Sequence, residues 1–120
     1  MKLKKILSYH YRRLFPRKPK VTHVRIAGHT LQVYEGSLGK TDKDDAWFHK
    51  LAQQHDVVYD VGANVGHTAM LACLGNPGKT MVLIDPNAEA LRIAADNLAR
   101  NGMTDNKTFI TAFADRTSGE

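Results

Sequence analysis

Residues 57–66 read Val-Val-Tyr-Asp-Val-Gly-Ala-Asn-Val-Gly, and this stretch decides the fold. A short apolar run contains a carboxylate, Asp60, and a turn of small residues then leads into a helix-like segment that opens at Gly66. A second apolar run, at residues 81–84, is followed directly by Asp85. Two strands that end in acidic residues and are joined by one helix are typical of an open α/β sheet that binds a nucleoside-containing cofactor.

The sequence that follows continues the alternation of strands and helices. Residues 66–74 are predicted to be helical, residues 88–100 form the most amphipathic helix, and residues 108–113 form a third strand. The order strand, helix, strand, helix, strand requires right-handed crossovers and a parallel sheet, so the expected fold class is α/β with a Rossmann-like sheet. The continuous apolar run at 57–61 predicts a strand that is buried on both faces.

Periodicity also predicts which helix faces are buried. The apolar stripe of the helix at 88–100 is expected to consist of Ala88, Leu91, Ala95 and Leu98. An earlier helix, at 43–54, has an apolar side that includes Trp47, which is expected to pack against the rest of the chain. Cys73 is the only cysteine, so it cannot form an internal disulfide, and it is expected in the core.

The chain is predicted to have three parts. Residues 1–20 form a basic N-terminal arm, and residues 21–56 form a lead-in to the sheet, which occupies residues 57–120. The lead-in begins with a β-hairpin at 21–34, where Gly28 supplies the positive φ of a tight turn.

The arm is predicted to be a basic amphipathic helix, with an apolar face made of Leu3, Ile6, Leu7 and Leu14. Such a helix is suited to weak contact with an anionic membrane surface. Two alternatives stay open: the helix packs on its own domain, or the arm is a frayed tail.

The charge of the chain is unevenly distributed. The net charge is +5, but residues 1–34 hold nine Lys or Arg and no acidic residue, which leaves residues 35–120 with a net charge of −4. An acidic cofactor domain argues against a nucleic-acid partner, because that partner requires a basic face. The signal-like start is interrupted by polar residues within a few positions, and no apolar run is long enough to span a membrane, so we expect a cytoplasmic protein.

The loop at 62–66 fits a cofactor without phosphate better than a dinucleotide. A dinucleotide loop has a second glycine where this chain has Asn64, and Asp60 would repel a pyrophosphate. S-adenosylmethionine (SAM) carries an ammonium, a sulfonium and a carboxylate group. We therefore predict that Asp60 holds the ammonium, and that Gly62 lets the backbone lie against the methionine part.

Two further groups complete this predicted SAM site. The backbone N–H groups near Gly66 and His67 open a helix and are expected to face the carboxylate of the cofactor. Asp85 is expected to accept hydrogen bonds from both ribose hydroxyls. Asp85 or Asn87 also fits a helix N-cap, with Pro86 in the first turn. No metal is expected, because no cluster of His, Cys or Asp has ligand spacing.

Four separated segments resemble the FkbM-like family of SAM-dependent methyltransferases. Residues 58–68 resemble the first motif of the family, with its Asp-Val-Gly-Ala-Asn-x-Gly loop, and residues 84–87 match an acidic residue followed by Pro-Asn. Residues 96–102 resemble the Asn-Leu-x-x-Asn-Gly helix end of the family, and residues 112–119 its Ala-x-x-Asp-x-x-Gly segment. The resemblance implies O-methyl transfer from SAM to a hydroxyl of a sugar or other small metabolite.

The resemblance also implies roles for individual residues. The methionine side of SAM would be lined by Asp60, Gly62, Asn64 and Gly66. Asp85 would bind the ribose, although the family more often has Glu there, and Asp115 would lie near the adenine.

The family fold has seven strands in the order 3-2-1-4-5-7-6, and this sequence supplies the first three. We therefore expect residues 57–120 to be the N-terminal half of a methyltransferase domain, inactive alone, with no catalytic residue that can be named. The alternative is a minimal domain in which the hairpin or a partner covers the sheet edge. Two other functions stay open: a fragment of a nicotinamide-dependent dehydrogenase, and a non-catalytic remnant or interaction module.

Overall fold

The computed structural model describes residues 20–40 and 42–115. Eight elements follow one another along the chain: β1 (Val21–Ile26), β2 (His29–Tyr34), α1 (Lys43–Gln53), β3 (Val57–Val61), α2 (His67–Cys73), β4 (Thr80–Asp85), α3 (Ala88–Arg100) and β5 (Lys107–Thr111). The predicted basic helix of the N-terminal arm falls on residues 1–19 and so lies outside the described residues.

Strands β3, β4 and β5 form a parallel sheet in that order, which confirms the predicted α/β class. In the register, Tyr59 pairs with Val82, which pairs with Thr108. Because every connection steps to the next strand in the same direction, right-handed crossovers place α2 and α3 on one face of the sheet. The alternating burial of β4 agrees with this arrangement, since Met81 and Leu83 are fully buried.

The opposite face of the sheet is open among the described residues. Tyr59 is 68% exposed and Val61 is 59% exposed, so the prediction that β3 is buried on both faces is wrong for this part of the chain. The physical reason is that both crossover helices cover the same face. An apolar run therefore identified the strand correctly without showing how many of its faces are covered.

The hairpin forms as predicted. Strands β1 and β2 pair antiparallel, and the two turn residues, Ala27 and Gly28, both have positive φ (47° and 81°). This combination is that of a type I′ turn, whose twist matches the strands. Leu31 and Val33 point inward and are buried, so one face of β2 joins the core.

Helix α1 begins with a capping box in which Asp42 and Asp45 each accept the backbone N–H of the other. Its inner face is mixed: Ala52 is buried in the core, while the His49 ring donates to Leu71 O (2.8 Å) and Gln53 binds carbonyls at the end of α2. Trp47 is turned outward and is 71% exposed, so its predicted packing is wrong. Apolar spacing pointed to the wrong face because carbonyls at the end of α2 attract the face that carries His49 and Gln53.

The stripe predicted for α3 is shifted. The buried residues are Ala90, Leu91, Ala94, Asn97 and Leu98, whereas Ala88 is exposed and Ala95 only partly buried. One polar side chain therefore lies in the centre of the apolar face. Cys73 is fully buried, as predicted.

Candidate functional site

The loop between β3 and α2 has a backbone that few residues tolerate. Gly62, Asn64 and Gly66 all have positive φ, at 81°, 49° and 93°. Glycine adopts these conformations without a steric penalty, and asparagine enters the left-handed region more readily than most residues do. The Gly-Ala-Asn-Val-Gly sequence thus turns the chain sharply from the strand end into the helix.

Hydrogen bonds from β4 fix the first half of this loop. The backbone N–H groups of Gly62 and Ala63 both donate to Ile84 O, at 2.8 and 3.1 Å. The next N–H, that of Asn64, donates to Asp85 Oδ2 at 2.9 Å. The end of β4 therefore holds the loop, and the predicted proximity of the two strand ends is confirmed.

Asp85 uses both of its carboxylate oxygens in this structure. Besides the bond from Asn64, its Oδ1 accepts the N–H of Asn87 at 2.8 Å. Asn87 itself is the N-cap of α3, since its side chain accepts from Glu89 N and Ala90 N. Of the two capping alternatives, Asn87 is the correct one, and Asp85 connects the start of α3 to the loop. The predicted contact of Asp85 with a ribose stays a prediction.

Asp60 lies near the end of the neighbouring strand, β3, and differs from Asp85 in its hydrogen bonding. Its side chain is only 9% exposed, and Oδ2 has no hydrogen-bond partner among the described residues. Burial raises the pKa of this carboxyl, and the nearby Asp85 carboxylate raises that pKa further. A buried polar atom without a partner is rare in proteins and marks a candidate binding site.

Gly66 is required by close packing as well as by its φ. A Cβ built on Gly66 would lie 3.2 Å from Ala94 Cβ and 3.3 Å from Ala94 Cα, whereas one built on Gly62 would meet nothing within 4 Å. The far end of the loop therefore rests directly on α3. Gly62 leaves open space beside the backbone, as its predicted role requires.

The imidazole of His67 forms hydrogen bonds with two residues of the lead-in. Its Nε2 lies 3.2 Å from Asp45 Oδ1, and its Nδ1 accepts the Gly39 N–H at 3.4 Å. This arrangement fits a neutral ring with the proton on Nε2. The role predicted for His67 concerned the N–H groups at the helix start, and it stays a prediction.

Asp115 lies beyond the end of β5, near the limit of the described residues, and its side chain is exposed. Its assignment to the adenine region stays a prediction. The structure therefore brings together Asp60, Gly62, Asn64, Gly66 and Asp85, with Asp115 separate from the loop in sequence.

Two clefts of about 240 and 440 Å³ lie elsewhere on the molecule. The first is between the hairpin turn, α1 and α2, and the second is between β2 and the end of α3. Neither is lined by Asp60 or Asp85.

Two residues that support the loop were missed at the sequence level. Ala94 contacts Gly66, and Asn97, which is fully buried, donates to Val65 O at 2.9 Å. The available signal was an asparagine in phase with Leu91, Ala94 and Leu98, because a polar residue inside an apolar stripe must find partners.

Comparison with solved structures agrees with this architecture. A SAM-dependent methyltransferase from Agrobacterium tumefaciens superposes with a TM-score of 0.56 at 12% identity, over 81% of this chain and 34% of that one. A transferase from Pyrococcus horikoshii superposes with a TM-score of 0.56 at 15% identity, over 88% of this chain and 46% of that one. At these identities the likeness shows the fold alone, an α/β fold with a Rossmann-like parallel sheet. The chain spans less than half the length of either structure.

No family model and no curated protein matches the sequence. Within residues 20–40 and 42–115, no helix has the length and apolar character needed to cross a membrane.

Proposed function

We propose that this chain is the cofactor-binding part of a SAM-dependent methyltransferase. The observation that carries the proposal is the buried Oδ2 of Asp60, which has no hydrogen-bond partner within residues 20–40 and 42–115 and lies beside a loop that the neighbouring strand holds in place. A cationic ligand satisfies such an oxygen, whereas a phosphate would be repelled by two adjacent carboxylates. The fold comparison supports the same class of protein.

The residues fit the chemistry of SAM. Asp60 would accept hydrogen bonds from the ammonium group, and Gly62 leaves room for the methionine part beside the backbone. Asp85 would bind ribose hydroxyls, because each of its oxygens retains a second lone pair after its bond to a backbone N–H. When bound, SAM supplies an electrophilic methyl group on its sulfonium.

The proposal also covers the methyl acceptor and the cellular compartment. The FkbM-like resemblance supports a hydroxyl of a saccharide or small metabolite as acceptor. The interrupted signal-like start supports a cytoplasmic setting, and the net charge of −4 over residues 35–120 argues against a nucleic-acid partner. We expect the 120-residue chain alone to transfer no methyl group, since its described residues leave one sheet face and the β3 edge open. Transfer of labelled methyl by the purified chain would contradict that expectation.

Calorimetric titration of the purified chain with SAM and with NAD tests the cofactor assignment. We expect SAM to bind and NAD not to bind. Asp60→Asn should weaken SAM by about 1–3 kcal/mol, because an ion pair becomes a bond between neutral and charged groups. Asp56→Asn, at the exposed start of β3, is the matched control and should leave SAM affinity unchanged. Binding of NAD instead would favour a dehydrogenase, and binding of neither would favour a non-catalytic module.

A further inference from the structure

Asn97 is a buried amide that joins two otherwise separate regions of the molecule. It lies in the last turn of α3 and is 0% exposed, so its side chain cannot exchange hydrogen bonds with bulk water. Its Nδ2 donates to Val65 O at 2.9 Å, in the loop between β3 and α2. Its Oδ1 accepts the backbone N–H of Tyr34 at 2.9 Å, at the end of the hairpin.

These bonds anchor the second half of the loop. The first half is held by β4, through Ile84 O and the Asp85 carboxylate. The second half rests on α3, where Ala94 contacts the position of the Gly66 side chain and Asn97 holds the carbonyl of the preceding residue. Ala94 and Asn97 are three positions apart and so share one face of the helix.

Asn101, the C-cap residue that follows α3, offers a comparison within the same molecule. Its Oδ1 accepts the N–H of Gln32 (2.8 Å), and its Nδ2 donates to Gln32 O (2.9 Å) and to Asn97 O (2.7 Å). Asn101 therefore binds the same hairpin strand as Asn97, but none of its bonds reaches the loop. Asn101 serves as a control, because replacing it removes bonds to the hairpin but none to the loop, whereas replacing Asn97 removes a bond to each of them.

We propose that Asn97 is a positioning residue that sets the Val65–Gly66 end of the cofactor loop and couples it to β2. The proposal rests on the proposed function for its statement about SAM affinity, and on the geometry alone for its statement about the loop. Loss of the side chain leaves the carbonyl of Val65 and the N–H of Tyr34 without their partners inside the protein. The loop then samples conformations other than the one that binds.

Amide hydrogen exchange measured by NMR on the full 120-residue chain tests the proposal. In Asn97→Ala we expect the Gly66 N–H, which donates to Ala63 O next to the carbonyl that Asn97 binds, to exchange about tenfold faster or more. In Asn101→Ala we expect faster exchange at Gln32 with the loop unchanged. SAM affinity should fall about tenfold or more in the first variant and stay within about twofold in the second. Equal effects of the two variants on the loop would overturn the proposal.

A second measurement guards against global unfolding of Asn97→Ala. Leu83 is fully buried in the central strand β4, so exchange of its backbone N–H reports global opening. We expect the Gly66 N–H to be accelerated by a larger factor than the Leu83 N–H; equal factors at the two amides, or unchanged exchange at Gly66, would overturn the proposal. If wild type fails to bind SAM, the proposed function is wrong, and the exchange comparison still decides the role of Asn97.

Discussion

Asp60 and Asp85 end neighbouring strands, are equally buried at 9% exposure, and carry the same functional group, yet their surroundings differ. Asp85 accepts one backbone N–H on each oxygen, from Asn64 and from Asn87. Asp60 has an oxygen with no partner among the described residues and a raised pKa. The difference teaches that two carboxylates at neighbouring strand ends can have different surroundings: Asp85 supports the loop, and Asp60 is the one that we propose for the ligand.

The two positions should therefore contribute to stability with opposite signs. A carboxylate that accepts charge-assisted hydrogen bonds stabilises the fold, whereas a buried carboxylate that lacks a partner destabilises it. Residues kept for binding commonly reduce stability in this way. Making the same substitution at both positions tests this difference.

The largest effect is expected for Asp85→Asn. An amide offers one neutral acceptor where the carboxylate offers two charged ones, so either Asn64 N–H or Asn87 N–H loses its acceptor and the other keeps only a neutral one. We expect the free energy of unfolding in urea to fall by about 3 kcal/mol, the upper range for hydrogen bonds to a charged group. Asp105→Asn, on an exposed turn, should change it by less than about 0.5 kcal/mol. If Asp85→Asn lowered the free energy of unfolding as little as Asp105→Asn does, a structural role for Asp85 would be contradicted.

The two glycines of the loop allow a second comparison. Both have positive φ, so Ala costs about 1–2 kcal/mol at either position. Only at Gly66 does the added Cβ meet α3, and overpacking there should add about 1 kcal/mol to the cost. Urea denaturation of Gly62→Ala and Gly66→Ala measures the difference. Adding Ala94→Gly to Gly66→Ala should recover part of it; equal losses in the two single variants would contradict the packing at Ala94.

The smallest effect is expected for Asp60→Asn, with the opposite sign. Removing the buried charge should raise the free energy of unfolding by about 1 kcal/mol at pH 7. Because the pKa of Asp60 is higher folded than unfolded, ionisation lowers wild-type stability as pH rises through that value. The advantage of the variant should therefore shrink as pH falls. A variant less stable than wild type at pH 7 would show that Asp60 already has a partner.

The sequence allowed part of this site to be predicted, and topology explains which part. The proximity of the Asp60 and Asp85 ends follows from parallel pairing of adjacent strands, which hydrophobic runs reveal. Whether each carboxylate finds partners depends on the path of the loop, including the positive φ of Asn64, and no periodicity encodes that path.

The errors in the predicted burial have the same origin. The exposure of Trp47 and the burial of Asn97 both depend on hydrogen bonds to backbone groups distant in sequence. Apolar spacing identifies a helix but carries no information about such partners. The exposure of Trp47 was therefore beyond hydrophobic pattern, whereas the phase of Asn97 with the apolar stripe indicated that it is buried but not which groups it binds.

We propose that Asp60, whose Oδ2 has no hydrogen-bond partner in the described part of the chain, binds the ammonium group of SAM. The most direct test is an NMR titration of the Asp60 carboxyl carbon in the free chain and in the chain saturated with SAM. Without the cofactor we predict a pKa above the ordinary value of 3.8, and with it a lower pKa, because a nearby positive charge favours the carboxylate. An Asp60 pKa that stays the same when SAM saturates the protein would contradict the claim.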